Sequence, residues 1–285
     1  MPVEFLSDEQ ASVYGQFGRE PTQAELERFF FLGDADRRRV QVRRGDHHRV
    51  GFGVQVGTIR FLGTFLADWT SVPPGVVRYV ADQVAPAAEV DGLMRRYMER
   101  DKTPLEHSWE IREALGYRDF ASAEQVTREF LEARVWTRLE RPTQLFDQAV
   151  AWLRSEKVLL PGVSVLARLV SEVRTDMSDR LYSRLASRVS ELGQRLDKLL
   201  TVPSGSRLSE LDRLRRAPTR ASGLEMVRAL DRAAEIAGFG TDRIDVADVP
   251  PSRVQALARA GLTTCGIPCT SWTSSSAGTA DRRRR

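Results

Sequence analysis

The sequence predicts an all-α, multi-helix fold, and three observations carry that expectation. A hydroxyl residue followed three positions later by Glu or Gln precedes a helix-forming run at five places: Ser7 with Gln10, Thr22 with Glu25, Thr103 with Glu106, Ser122 with Gln125 and Ser222 with Glu225. Each such pair can satisfy two free amides at a helix start. Apolar residues recur at helical steps through most of the chain, whereas alternating strand-like runs are scarce.

The elements follow in order. Ser7 and Thr22 open the first helices, and the second leads toward Arg37-Arg38-Arg39. From Arg43 to Phe65 the chain passes from basic and imidazole groups into a glycine-dotted apolar run, read as a buried helix with Asp46 capping its start. Pro73-Pro74 and Pro86 break the region that follows; Pro104 falls just inside the third predicted start, where a missing N–H costs nothing. Gly116 ends another helix. Glu140-Arg141-Pro142 is read as a domain boundary. Beyond it Leu145, Phe146, Ala149, Val150, Trp152 and Leu153 share one face of a helix from about Thr143 to Lys157. The break Leu159-Leu160-Pro161-Gly162 is followed by a helix near Val163 with Val165, Leu166, Leu169, Val170 and Val173 on its face. This pair, over 143–174, has the form of a helix-turn-helix element, and an ordinary helical hairpin is the competing reading. Leu181, Leu185, Val189, Leu192, Leu196 and Leu199 predict one amphipathic helix of roughly five turns. Pro203-Ser204-Gly205 and Pro250-Pro251 subdivide the remainder. The expected organisation is an N-terminal helical DNA-binding-type domain over 1–140, a second over 141–262, and a disordered tail over 263–285.

The tail differs in composition. Nine of its 23 residues are Ser or Thr, and it stops in four arginines. Such a segment cannot bury enough apolar surface to offset its ordering entropy. It also distorts the charge: the chain carries +4 in all, of which the tail holds +3. The sequence pI of 9.4 is therefore mostly a property of the tail. Both cysteines, Cys265 and Cys269, lie there too, which excludes a disulfide framework or a cysteine nucleophile in the body. No run approaches the ~18 apolar residues of a membrane span, and the acidic N-terminus has no signal-peptide core, so a soluble cytoplasmic protein is expected.

Local clustering, rather than global charge, points to a polyanion. Between Asp34 and Arg60 seven arginines stand against three aspartates, a net of +4. The candidate contacts there are Arg37, Arg38, Arg39, Arg43, Arg44, Arg49 and Arg60, with His47 and His48 at the helix start. A solvated arginine-rich helix face is the alternative. Ser164 and Arg168, early in the second helix of the hairpin, and Arg215, Arg216 and Arg220 form further candidate surfaces. Asp46-His47-His48 resembles a metal or acid–base triplet, but it lies at a helix start without further acidic ligands, so capping and phosphate contact are the preferred roles. His107, beside Trp109 and Ile111, is read as a packed residue. No phosphate-binding glycine loop, dinucleotide fingerprint or nucleophile elbow occurs, and no catalytic residue, metal or cofactor is expected.

Long segments carry a resemblance beyond these local readings. RRGDHHRVGFGVQVGTIRFLGTF, the preceding ELERFFFLGDADR, WEIREALGYRDF, AVAWLRSEKVLLPGVSVLARLVSEVR, SELDRLRRAPTRASGLEMVRALDRAAEI and PSRVQALARAGL resemble the N-terminal, DUF4158-like region of Tn3-family transposases, across residues 1–262. The resemblance implies a bacterial, nucleoid-associated protein whose partner is double-stranded DNA bearing terminal inverted repeats. It also implies that the family's magnesium-dependent, DDE-type catalytic domain lies downstream, so that no catalytic carboxylate carries over and the chain itself is not an enzyme. One departure is His48, where many relatives are expected to have asparagine. Similarity stops near Leu262, and a frameshifted or truncated gene is the expected origin. Two functions follow: a fragment that binds inverted repeats, or a non-catalytic interaction module that associates with full-length transposase.

Overall fold

The structure is a computed structural model describing residues 5–100, 102–189, 192–218, 220–241 and 244–263. The serine- and threonine-rich tail expected to be disordered lies outside the described residues, except for Thr263. The helices are α1 (Asp8–Val13), α2 (Gln23–Glu25), α3 (Asp34–Gln41), α4 (Asp46–Leu62), α5 (Pro74–Val84), α6 (Leu93–Tyr97), α7 (Lys102–Leu115), α8 (Phe120–Thr137), α9 (Pro142–Ser155), α10 (Val163–Arg188), α11 (Gly193–Leu200), α12 (Glu210–Leu214), α13 (Gly223–Ala237) and α14 (Pro251–Thr263). A π-helix over Leu26–Phe30 continues α2, and a 3-10 turn spans Trp69–Ser71. No strand is present among the described residues; Arg118 and Val158 form one isolated parallel bridge. The fold is all-α, as expected.

The chain forms two compact units, one of residues 1–133 with 140–173 and one of residues 134–139 with 174–285. The first unit extends past the Glu140-Arg141-Pro142 break because α9 packs into it through Leu145, Phe146, Ala149 and Leu153, all buried.

Helix α4 is the axis of the first unit. Every residue from Val50 to Ile59 is buried, as a helix enclosed on all sides must be. Its glycines let neighbours approach closely. A Cβ on Gly51 would lie 2.5 Å from the Tyr97 ring, and one on Gly57 would overlap the Phe30 ring. Glycine costs about 1 kcal/mol within a helix, which the two buried rings, each worth roughly 1.5–3 kcal/mol, offset. The carbonyls at the end of α4 find donors: Ile59 O accepts from Tyr117 Oη at 3.2 Å, Gly63 O from Leu160 N at 3.0 Å, and Phe61 O from Arg154.

The second unit is thinly packed. Val135, Met177, Leu181, Leu214 and Val249 are its buried apolar residues among those described, and α11 and α13 contain none. Ion pairs join its segments instead: Arg188 at the end of α10 to Asp248 at 2.5 Å, and Arg213 of α12 to Glu235 of α13 at 2.8 Å.

Several expectations need correction. Ser7 and Thr22 form complete capping boxes, and Ser222 accepts from Glu225 N. Thr103 and Ser122, however, lie inside α7 and α8; the Ser122 hydroxyl donates back to Asp119 O. Asp46 does not cap α4. Gly45 holds that position with φ of 86°, leaving Asp46 as the first helical residue. The Leu181–Leu199 stripe is divided between α10, which ends at Arg188, and α11, which begins at Gly193. Between α9 and α10, residues 156–162 form a connection longer than the roughly three- to four-residue turn of a helix-turn-helix, pinned to Arg118 and Gly63.

Candidate nucleic-acid interface

The basic cluster folds into a corner between α3 and α4. Gly45 makes the corner by adopting a left-handed φ that other residues avoid. Gly45 O accepts from His48 N and Arg49 N, both at 3.2 Å, and Arg49 Nε donates to Arg43 O at 3.1 Å. The main chain on both sides of the turn is thereby fixed.

The arginines divide by partner. Arg38 and Arg44 are exposed, and neither has a hydrogen-bond or ion-pair partner among the described residues. Arg37 and Arg39 donate to main-chain carbonyls, Leu32 O at 2.9 Å and Ala35 O at 3.3 Å, so their charges remain uncompensated. Arg49 adds a long contact of 3.4 Å to Asp46, with both side chains substantially exposed, which is worth little in solvent. Arg60 and Arg43 are different. Arg60 sits at the far end of α4 and grips the nearly buried Asp36 through both carboxylate oxygens, at 3.1 and 2.9 Å. Arg43 lies 4.4 Å over the Phe52 ring, with Nη2 at 2.5 Å from Glu110 in an ion pair that lacks hydrogen-bond angles. These two guanidinium groups, expected at phosphates, are turned toward the protein because acids from other elements reach them.

Beneath the corner lies a polar network. Gln55, fully buried in α4, donates from Nε2 to Tyr97 Oη and to Pro104 O, each at 2.9 Å. Tyr97 Oη in turn shares a hydrogen bond of 2.7 Å with His107 Nδ1. Burial, reinforced by the Arg43 and His48 charges, pushes His107 down to about 4, so the ring is neutral. The His48 ring lies tilted against His47, with centroids 4.0 Å apart, and meets the Tyr97 and His107 rings edge-on. Its pKa is also lowered, first by burial and then by His47 and Arg100. His48, where asparagine was expected, has its Nδ1 buried without a hydrogen-bond partner among the described residues. His107 is the packed residue that the sequence suggested; Gln55 was missed, since one polar residue in an apolar helix gives no spacing signal.

The other candidates lie on other elements. Ser164 and Arg168 are exposed on the first turns of α10; Arg168 has a loose 3.7 Å pair with Glu172, and no described contact links either residue to the corner. Arg215 and Arg216 follow α12 in the second unit, and exposed Arg220 lines a shallow cavity with Ser222 and Met226. Among the described residues no three His, Cys, Asp or Glu side chains are placed to hold a metal ion, and no helix is long and apolar enough to cross a membrane.

Comparison with known proteins adds a second line. Residues 5–173 match the family model described as a domain of unknown function, DUF4158, whose end coincides with that of the first compact unit. The chain is 38% identical over 262 residues to the transposase for transposon gamma-delta of Escherichia coli (strain K12), covering 91% of this chain and 26% of that protein. It is 30% identical over 245 residues to the transposase for transposon Tn501 of Pseudomonas aeruginosa, covering 84% and 24%. A shorter match, 58% identical over 62 residues, is to the transposase for transposon Tn4556 of Streptomyces fradiae, covering 22% and 7%. The chain thus spans about a quarter of the length of the first two relatives.

Proposed function

We propose, from the premise that this chain belongs to the DUF4158 family and is a relative of Tn3-family transposases, that it acts in DNA transposition by binding the terminal inverted repeats of a transposon as duplex DNA. The role is one of holding, with no bond-breaking chemistry assigned to its own residues. The observation that carries the reading is the α3–α4 corner, where Arg38 and Arg44 project without acidic partners between Arg37, Arg39 and Arg49. Guanidinium groups held this way neutralise phosphates and release counterions. His47, half-exposed on the first turn of α4, is placed to add a contact, and α4 directs the positive end of its dipole into the same corner. Arg43 braces the corner from within, and Arg60 ties the far end of α4 to Asp36 of α3. Arg168, Ser164, Arg215, Arg216 and Arg220 are proposed as secondary contacts.

The test is a gel shift with an inverted-repeat duplex and a scrambled duplex of equal length, at two salt concentrations. Tighter binding of the repeat at both supports the reading; equal affinity reduces it to nonspecific attraction. A second reading, association with full-length transposase, is favoured by the exposed Leu224, Val227 and Leu230 on α13. Light scattering of this chain mixed with the complete enzyme distinguishes the two.

A further inference from the structure

A cleft of about 620 Å3 lies in the first unit, away from the network beneath the corner. The π-helix over Leu26–Phe30 forms one wall, and the end of α4 with Arg154 of α9 forms another. Single turns of π-helix recur at functional sites, where the wider turn displaces a side chain from the regular helical face. Here that segment supplies Arg28 and Phe29 to the cleft.

The lining combines aromatic surface with uncompensated charge. Phe29 and Phe61, both half-buried, meet edge to face at 5.4 Å. Arg28 is exposed, its guanidinium 5.1 Å from the Phe29 ring centre, and it has no acidic partner among the described residues. Arg154 is partly buried and gives a donor to the Phe61 carbonyl, again without an acidic partner among the described residues. Arg19, the third arginine, is neutralised by Glu25 through contacts of 2.8 and 2.6 Å. Two positive charges therefore remain beside the aromatic wall. Burial pushes the Arg154 guanidinium down from its ordinary value, partly countered by Tyr117, and the Arg28 charge pushes it further down. An anion between the two would relieve that repulsion.

A base inside duplex DNA has its faces covered by its neighbours, so it cannot stack on a protein ring. An unstacked nucleotide can, and the cleft falls within the roughly 300–1,000 Å3 range of small-ligand sites. We propose that this cleft binds one unstacked nucleotide of single-stranded DNA, the base against Phe29 and Phe61 and the phosphate between Arg28 and Arg154. An acidic peptide would satisfy the arginines but leave the aromatic wall unused. The proposal does not rest on duplex binding at the α3–α4 corner, and its test separates the two.

The probes are a short fluorescent oligothymidylate and an abasic strand of the same length, followed by anisotropy with the full chain and the variants Arg28→Ala and Phe29→Leu. The wild-type chain is expected to bind the base-bearing strand at least about fivefold more tightly than the abasic one. Phe29→Leu should abolish that preference, and Arg28→Ala should weaken both strands while leaving duplex affinity, measured alongside, unchanged. Equal affinity of the wild-type chain for the two strands overturns the proposal. So does single-strand binding by Arg28→Ala at the wild-type level. Because Arg28 is exposed and makes no hydrogen bond or ion pair among the described residues, that variant remains decisive even if Phe29→Leu fails to fold, which thermal melting reports.

Discussion

Exchanging Arg38 and Arg44 together for alanine should flatten the salt dependence of duplex binding, whereas Arg60→Ala should leave it unchanged. Each phosphate contact contributes about 0.9 to the slope of log K against log salt, so loss of two lowers it by roughly 1.8. Over a fourfold rise in salt, the double variant would therefore lose about tenfold less affinity than the wild-type chain loses. Arg60 carries a formal charge too, but it is spent on Asp36, which is 6% exposed. Removing it strands a nearly buried carboxylate. A fully buried pair broken this way costs about 3–5 kcal/mol, and because Arg60 is partly solvated the expected loss is about 2 kcal/mol of folding stability. Fluorescence anisotropy across a salt series gives the slopes, and urea denaturation gives the stabilities. If Arg60→Ala flattens the slope by about one, or the double variant leaves it unaltered, the division of the cluster into contacting and bracing arginines is wrong.

Three other outcomes follow from the same structure. Arg43→Ala should lower stability by about 1–2 kcal/mol through loss of the Phe52 stack and the Glu110 pair, with less effect on the salt slope than Arg44→Ala; equal slopes for the two variants count against it. Gly57→Val should destabilise the chain by roughly 3 kcal/mol or more, because its side chain must displace the fully buried Phe30 ring; a denaturation midpoint within error of wild type would contradict the packing. Stability should fall as pH drops from about 6.5 toward 4, since the unfolded chain takes up a proton at His107 that the folded chain refuses, with His48 acting in the same direction. The His107 contribution is present in full above the unfolded value and approaches a loss of roughly 3 kcal/mol near the folded one. A His107→Phe variant whose stability changes as steeply as wild type between pH 7 and 4.5 would refute it.

Helix class was legible because caps and apolar spacing are local signals. The boxes at Ser7 and Thr22 stand as read, and α4 spans the glycine-dotted run. Failures arose where tertiary context moved a helix start. Thr103 and Ser122 have box spacing, yet α7 and α8 begin before them. At Asp46, side-chain chemistry suggested a cap, but only glycine fits the backbone angle required there, and Gly45 takes the position. The charge cluster was visible as a count; its division was not. Arg60 meets Asp36 across 24 positions of sequence, and Arg43 meets an acid on α7. No spacing rule reaches so far. The aromatic cleft was equally hidden, since its walls come from segments brought together only by folding.

The Gly45 turn has a kinetic consequence. Its carbonyl is claimed by the first turn of α4, and Arg49 ties Arg43 O across the corner, so the main chain that carries the basic side chains has no ordering left to do. A polyanion arriving there need only settle a few arginine rotamers, at up to about 2 kcal/mol each. Capture should then proceed at the pace of diffusion steered by charge, without a slower rearrangement behind it.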